Sequence, residues 1–374
     1  MREIEEKAAR AYEERFGEEP ELVASAPGRI NLIGEYTDFS GGFVLPCAIE
    51  RRTAAAVGDA PEGRGALFSA DFDQEFLLDG GREGSWADYP RGVIRELVQS
   101  GAEAPSFHAA FAGNVPLGSG LSSSAAIEAA TALALDALLG LGISRKDLAL
   151  LCQRAENDFV GVPSGIMDQY ASLLCGVGAA LLIDCRTLES EPVPLGLEAA
   201  GLALLVCDTR VERSLSDTGY EDRRESCESA ARRLGMDELR DAREEDLERL
   251  AGEELKRARH VVRENARVLE AVQMLRDKDF AGFGRLMYGS HLSLRDDFEV
   301  STPELDAFVD AARESGSLGA RLTGAGFGGC AVALVNAADT DTLANSTRRA
   351  FQERGFREPA FYEFRPAAGA EVVS

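Results

Sequence analysis

Histidine is scarce in this chain: its 374 residues hold three, His108, His260 and His291, and none lies in a glycine-rich or acidic motif. That argues against catalysis by histidine and against a histidine-rich metal site. The seven cysteines, Cys47, Cys152, Cys175, Cys185, Cys207, Cys227 and Cys330, are odd in number and never spaced as Cys-x-x-Cys. They read as reduced thiols of a cytoplasmic protein, with no disulfide framework. Positive charge is also short, 40 Lys and Arg against 64 Asp and Glu, for a net charge of −24. Nonspecific nucleic-acid binding and attachment to an anionic membrane both need the opposite sign. No apolar run reaches the roughly 18 residues of a spanning helix, because Glu128 and Asp136 interrupt the longest candidate. Met1 to Arg15 is charged and helical in pattern, without a signal-peptide core. The phosphate-loop pattern G-x-x-x-x-G-K-[ST] is missing, as are the lysine and catalytic-loop signatures of protein kinases. Carboxylates, arginine, serine and main-chain amides are left to carry the chemistry, and a small ligand fits best.

The length suggests two domains with a cleft between them. Helical patterns are predicted at 3–16, 90–100, 124–140 and 145–158, the third having so few polar positions that it reads as buried. Strand patterns fall at 52–57, 66–69, 106–113, 179–183, 202–207, 330–335 and 360–365, with a Pro/Gly-rich connector at 193–201. The Glu/Arg-dense tract 221–277 reads as solvated helices laced with i,i+4 pairs, not as a binding tract. No internal repeat marks a boundary, and the division is placed at 1–175 and 176–374.

Gly118 to Ile127 runs small residues and three consecutive serines into an Ala-rich helix. Glycines let the main chain approach an anion, the serines supply hydroxyls, and a following helix aims free N–H groups at it, all of which suits a nucleotide phosphate. An ordinary Gly/Ser turn capping a buried helix fits the same residues. Gly324 to Gly329 formally matches G-x-G-x-x-G, but an apolar β-like run follows where a dinucleotide fold needs a helix. It reads as a glycine-rich turn leading into a strand, and a tight packed turn is the plainer alternative.

The stretch Gly28 to Cys47, with Gly-Arg-Ile-Asn-Leu-Ile-Gly-Glu-Tyr-Thr-Asp-Phe-Ser-Gly-Gly at 28–42, resembles the galactokinase signature of the GHMP kinase family. Residues 113–126 and 321–332 resemble that family's second and third motifs, and 85–89, 161–169 and 183–188 agree in the same order. The resemblance implies an α+β enzyme, with an N-terminal domain like ribosomal S5 domain 2, a ferredoxin-like C-terminal domain and the active site between. It also implies ATP-dependent phosphorylation of a monosaccharide, galactose by default, at its anomeric hydroxyl. A kinase for a related sugar (N-acetylgalactosamine, arabinose or galacturonate) and a noncatalytic sugar sensor are the alternatives.

Carried over residue by residue, the resemblance implies Asp168 as the base for the sugar hydroxyl and Arg29 as its charge partner. It implies a cradle for the ATP phosphates at Gly118, Ser119, Gly120, Leu121, Ser122, Ser123 and Ser124, with Trp86 and Tyr89 near the adenine. Ser124 and Glu156 match the positions that hold Mg2+, although Glu156 alone fits a helix surface equally well. Glu35, Tyr36, Thr37 and Asp38 match the sugar-binding Glu-His-Thr-Asp, joined by Gly165 and by Tyr220 in the segment 214–220. Tyr36 stands where most relatives carry histidine, so it is expected to bear on sugar choice. The expected partners are a sugar and ATP, with no nucleic acid or membrane, for a monomer or weak dimer.

Overall fold

The computed structural model describes residues 1–61, 63–103, 106–211 and 216–373, the side chains of 216–218 excepted. Thirteen strands are present among the described residues: β1 (Leu22–Asn31), β2 (Phe43–Val44), β3 (Pro46–Asp59), β4 (Ala66–Ser69), β5 (Gln74–Leu77), β6 (Phe107–Gly113), β7 (Ala179–Asp184), β8 (Glu189–Pro194), β9 (Leu202–Asp208), β10 (Gly319–Thr323), β11 (Cys330–Asn336), β12 (Ala360–Phe364) and β13 (Glu371–Val372). The α-helices are α1 (Glu3–Phe16), α2 (Asp88–Gln99), α3 (Ser123–Leu139), α4 (Arg145–Arg154), α5 (Met167–Leu174), α6 (Ser216–Leu234), α7 (Gly252–Arg276), α8 (Phe280–Asp296), α9 (Pro303–Glu314) and α10 (Thr340–Arg354). The α+β class expected from the sequence is the class observed.

The first sheet has the order β13-β1-β3-β6-β4-β5 and helices on both faces. Its central strands alternate small side chains between those faces, because successive Cβ atoms point to opposite sides. Ala54, Ala56, Ala110 and Ala112 meet Ile4, Ala8, Ala11 and Tyr12 of α1. Ala55, Val57, Ala109 and Phe111 face the other way, into a core with Ala129, Ala130 and Leu133 of α3 and Val93 and Leu97 of α2. Alanine on both faces lets the helices come close. Between Pro27 and Arg29 the β1–β3 register shifts, two residues on β1 spanning four on β3. That irregularity marks the part of β1 that carries Arg29.

The second sheet, β10-β11-β9-β12, is wholly antiparallel. One face packs Leu205, Ala331, Ala333 and Leu322 against Leu305, Phe308, Leu343 and Phe351 of α9 and α10. The other packs Leu204, Val206, Val332 and Leu334 against Val272 of α7 and Phe283 and Met287 of α8. The same cluster takes in Ile30, Leu32, Leu45 and Ile49 from the first sheet's strands and connections, so the two sheets share one dry core. A small third sheet, β2-β7-β8, lies beside them.

Several elements differ from the sequence expectation. The helix expected over 145–158 stops at Arg154 and continues as one π turn, Ala155–Val160, a widening common at functional sites. The connector expected at 193–201 begins inside β8, and only 198–200 forms a short 3-10 turn. The tract 221–277 carries the expected surface pairs, such as Arg224 with Glu228, yet it also buries Arg257, His260 and Glu264. It is therefore not solvated throughout: one face of α7 is sunk into polar surroundings that the charge density of the tract does not reveal.

Candidate active site

The described residues enclose a cavity of about 880 Å³, lined from the first sheet's helices and loops on one side and from Asp208, Gly324 and Ala325 on the other. Its floor includes the segment before α3. Gly118, Gly120 and Ser122 all have positive φ, at 68°, 80° and 61°. Two of the three are glycine, for which this costs nothing; Ser122 is a strained exception. The turn delivers the free N–H end of α3 to the cavity, where an anion is favoured. Ser119 braces the turn by donating to the Pro116 carbonyl at 2.7 Å. Leu121 is buried, and its carbonyl accepts the Arg29 N–H at 3.0 Å. Gly28 permits that approach, since a Cβ there would lie 2.5 Å from the Leu121 oxygen. Gly118, Ser119, Gly120, Ser122, Ser123 and Ser124 thus line the cavity, while Leu121 anchors them from below.

Arg29 reaches Asp168 as a two-pronged pair, Nε donating to Oδ1 at 2.8 Å and Nη2 to Oδ2 at 2.9 Å, while Nη1 holds the Gly120 carbonyl at 2.6 Å. Ser122 Oγ also donates to Asp168 Oδ2. Asp168 sits in the first turn of α5, a position that favours negative charge. The guanidinium is almost fully buried, but about a quarter of the Asp168 side chain (26%) stays exposed on the cavity. The pair therefore presents a carboxylate to a ligand and is not sealed in the core.

Glu156 projects from the π turn into the same cavity, next to Ser124. Its Oε2 accepts from Ser164 Oγ at 2.6 Å and from Gln169 Nε2 at 2.8 Å. Burial pushes the carboxyl above its usual range, and Asp168 adds to that. Behind it Glu128 is fully buried, pushed up further by burial and by Glu156, and one of its oxygens has no partner. Two crowded carboxylates beside a hydroxyl, all with oxygen donors, are chemistry a hard cation would relieve. Among the described residues no group of three or more His, Cys, Asp or Glu is arranged to hold a metal. A cation here would take few protein ligands and complete its shell with phosphate and water, which is the habit of Mg2+.

The residues matched to sugar binding divide into two kinds. Glu35, Tyr36, Asp38, Gly165 and Tyr220 line the cavity. Thr37 does not: it is buried and donates to the Gly34 and Phe43 carbonyls at 2.9 and 2.7 Å, pinning the turn. Burial, with Asp168 nearby, pushes Asp38 up to about 6. Tyr36 has φ 64° and gives its hydroxyl to the Ala325 carbonyl, so it ties this turn to the third glycine-rich segment. Its ring packs edge-on to Phe39 and tilted against Tyr220 and Phe298, with centroids 4.5 to 6.2 Å away. Of the two aromatics expected near an adenine, Tyr89 lines the cavity and Trp86 does not, being packed edge-on against Phe76 and Phe111. Of the segment 214–220, residues 214 and 215 lie outside the described residues.

Sequence reasoning missed a buried polar layer beneath the 31–36 turn. His260 Nε2 meets the Glu35 carbonyl at 3.0 Å, and burial pushes this imidazole down to about 4, so it is neutral. Glu264 accepts the Gly34 N–H at 3.0 Å; against burial, the Arg267 and Arg321 guanidinium groups hold its carboxyl down at about 2. Asn31 and Arg321 complete the layer. The available signal was Arg321 itself, a charged residue three positions before Gly324 in the short strand Gly319–Thr323.

Comparison with known proteins gives a consistent picture. The family descriptions that match are "Galactokinase galactose-binding signature" over residues 10–59, "GHMP kinases N terminal domain" over 88–176 and "GHMP kinases C terminal" over 268–356. The galactokinase of Streptomyces coelicolor is 46% identical over 371 residues, covering 96% of each protein. That of Homo sapiens is 43% identical over 384 residues, covering 98% of this chain and 96% of its own. Among solved structures, Lactococcus lactis galactokinase complexed with galactose superposes with a TM-score of 0.93 at 33% identity, covering 98% of both chains. The mevalonate kinase of Methanococcus jannaschii shares the fold alone, with a TM-score of 0.69 at 18% identity over 93% of this chain and 98% of its own.

Proposed function

The chain belongs to the galactokinases of the GHMP kinase family, and from that premise we infer that it transfers the γ-phosphoryl group of ATP to the anomeric hydroxyl of galactose, giving galactose 1-phosphate and ADP. The observation that carries the mechanism is the two-pronged Arg29–Asp168 pair facing the cavity beside the N-terminus of α3. Phosphoryl transfer asks the protein mainly for alignment and charge neutralisation. The anomeric oxygen attacks the γ-phosphorus, the bond to the β–γ bridging oxygen breaks, and the hydroxyl proton passes to Asp168. Arg29 holds the Asp168 carboxylate in place through its two-pronged contact and meets charge developing on the phosphoryl oxygens. Main-chain N–H groups at 118–124 cradle the phosphates, and Tyr89 stands on the base side. Ser124 and Glu156 would hold Mg2+, which when bound neutralises charge on the β- and γ-phosphates. Asp38, with Gly165 against it, and Glu35 orient the sugar ring.

The protein works on small molecules, and we read it as a monomer or weak dimer of the cytoplasm. The net charge of −24 supports the absence of nucleic-acid and membrane partners, and the seven cysteines, none of them in a disulfide, support the compartment. No helix among the described residues is long and apolar enough to cross a membrane.

The test is a coupled ADP-release assay over a panel of free sugars, with the product identified by phosphorus NMR. Galactose is expected to give the highest kcat/KM and a product phosphorylated at the anomeric carbon. Release of ADP without a sugar phosphate, or preference for another sugar, would overturn the assignment.

A further inference from the structure

Glu35 lines the sugar side of the cavity, yet it is only 2% exposed and most of its hydrogen-bonding capacity is already used. Asn31 Nδ2 donates to Oε2 at 2.7 Å, the Gly324 N–H donates to Oε1 at 2.8 Å, and Arg321 ion-pairs with Oε2. An ionised carboxylate has about four acceptor positions. Two of these take hydrogen bonds and the Arg321 ion pair crowds Oε2, so Oε1 keeps one acceptor position for a hydroxyl in the cavity.

Arg321 governs that state without touching the cavity. It is fully buried on β10, and its other fork nitrogen, Nη1, donates to the Asn31 carbonyl at 3.1 Å. It therefore grips the turn at both ends, through the Asn31 main chain and the Glu35 side chain. Its Nε has no hydrogen-bond partner and its Nη2 has only the ion pair to Glu35, a cost that an arrangement made for stability alone would avoid. Gly324, two residues after the strand's Leu322, adds the second constraint on Glu35 from the same segment.

We propose that Arg321 is a positioning residue for sugar selection: from the second sheet it fixes the Glu35 carboxylate so that a single acceptor faces the sugar. The proposal rests on the galactokinase reading, since it takes Glu35 to contact the sugar. A site with one oriented acceptor rejects an analogue lacking the matching hydroxyl, because the buried oxygen is then left unpaired. Lysine keeps the charge but not the planar fork, and it cannot hold Asn31 and Glu35 in one geometry.

The experiment compares wild type, Arg321→Lys and the neutral pair Arg321→Met with Glu35→Gln. For each, galactose binding is measured calorimetrically without nucleotide, alongside KM for galactose and for ATP and the melting temperature. Both variants are expected to fold and to keep KM for ATP within about twofold, while galactose binds at least about tenfold more weakly. Arg321→Lys should also lose at least half of the wild-type discrimination between galactose and its monodeoxy analogues, on a logarithmic scale. Galactose affinity within twofold of wild type in Arg321→Lys would overturn the proposal. So would a parallel loss of ATP and galactose affinity, or loss of the fold in both variants, because either makes Arg321 merely structural. If wild type prefers another sugar, the galactokinase reading fails separately, and the same comparison is run with that sugar.

Discussion

Replacing Gly165 with alanine tests the sugar site at its tightest point. A Cβ at that position would overlap the Asp38 carboxylate and lie 3.1 Å from the Asp38 Cβ. The Gly165 backbone is outside the left-handed region, so alanine adopts it without strain and the whole effect falls on Asp38. Ordinary carbon contacts are about 3.5 Å or longer, which requires the carboxylate to move by more than about 1 Å. A displacement of that size in a positioning group costs about 10²-fold in rate. Overpacking adds a stability loss of about 1–3 kcal/mol, well short of unfolding. Steady-state kinetics with galactose varied at saturating ATP should show kcat/KM for galactose falling about 10²-fold while KM for ATP holds. Binding of a nonhydrolysable ATP analogue, measured calorimetrically, should be unchanged. A variant within threefold of wild type on galactose would refute the reasoning, because Asp38 would then have no fixed role.

Asp168→Asn should fold and bind galactose but lose a factor on the order of 10²–10⁴ in kcat, and near-normal turnover would remove Asp168 as the base. Ser124→Ala and Glu156→Ala should each raise the Mg2+ concentration giving half-maximal rate and leave galactose binding without nucleotide intact; an unchanged metal dependence would return Glu156 to a structural role. Burial and Asp168 raise Asp38 to about 6, and the ionised form is the better acceptor for sugar hydroxyls, so galactose affinity should fall as pH drops through 6. Asp38→Asn should abolish that pH dependence, and a flat wild-type profile between pH 5 and 7 would contradict it. Tyr36→His gives up the reach to the Ala325 carbonyl, and should change the kcat/KM ratio of galactose to 6-deoxygalactose by at least about tenfold, roughly 1.4 kcal/mol; an identical ratio would leave Tyr36 without influence on sugar choice.

What could be read from the sequence was local and strongly patterned. The Ala/Leu run that forms α3 has almost no polar positions, and it is buried as expected. Gly118 to Ser124 and Gly324 announced tight backbone, and the fold brings both to one cavity. What escaped depended on direction, not composition. The π turn at 155–160 adds no change of residue type, so the 145–158 pattern continued through it, although the widening accompanies Glu156's place in the cavity. Trp86 and Tyr89 lie three residues apart, but one faces the core and the other the cavity, which aromatic character alone does not decide. Glu264 and His260 belong to a tract whose charge density signals solvent, and only tertiary packing turns that face of α7 inward. Strand β13 has two residues and no pattern at all.

That last strand has a consequence for how the molecule is made. β13 pairs with Ala24 and Ser25 on the outer edge of β1, and the buried Arg52 guanidinium donates to the Ala368 and Gly369 carbonyls just ahead of it. The edge of the sheet that carries Arg29 is thus closed by residues synthesised roughly 350 positions later, an interval on the order of half a minute at about 5–20 residues per second. Until then the nascent chain exposes an unpaired strand edge and a guanidinium without two of its acceptors, a surface that invites foreign strands. A stalled ribosome or a short C-terminal deletion would leave the protein in that open-edged form, with every residue of the cavity already translated and the sheet beneath it unsealed.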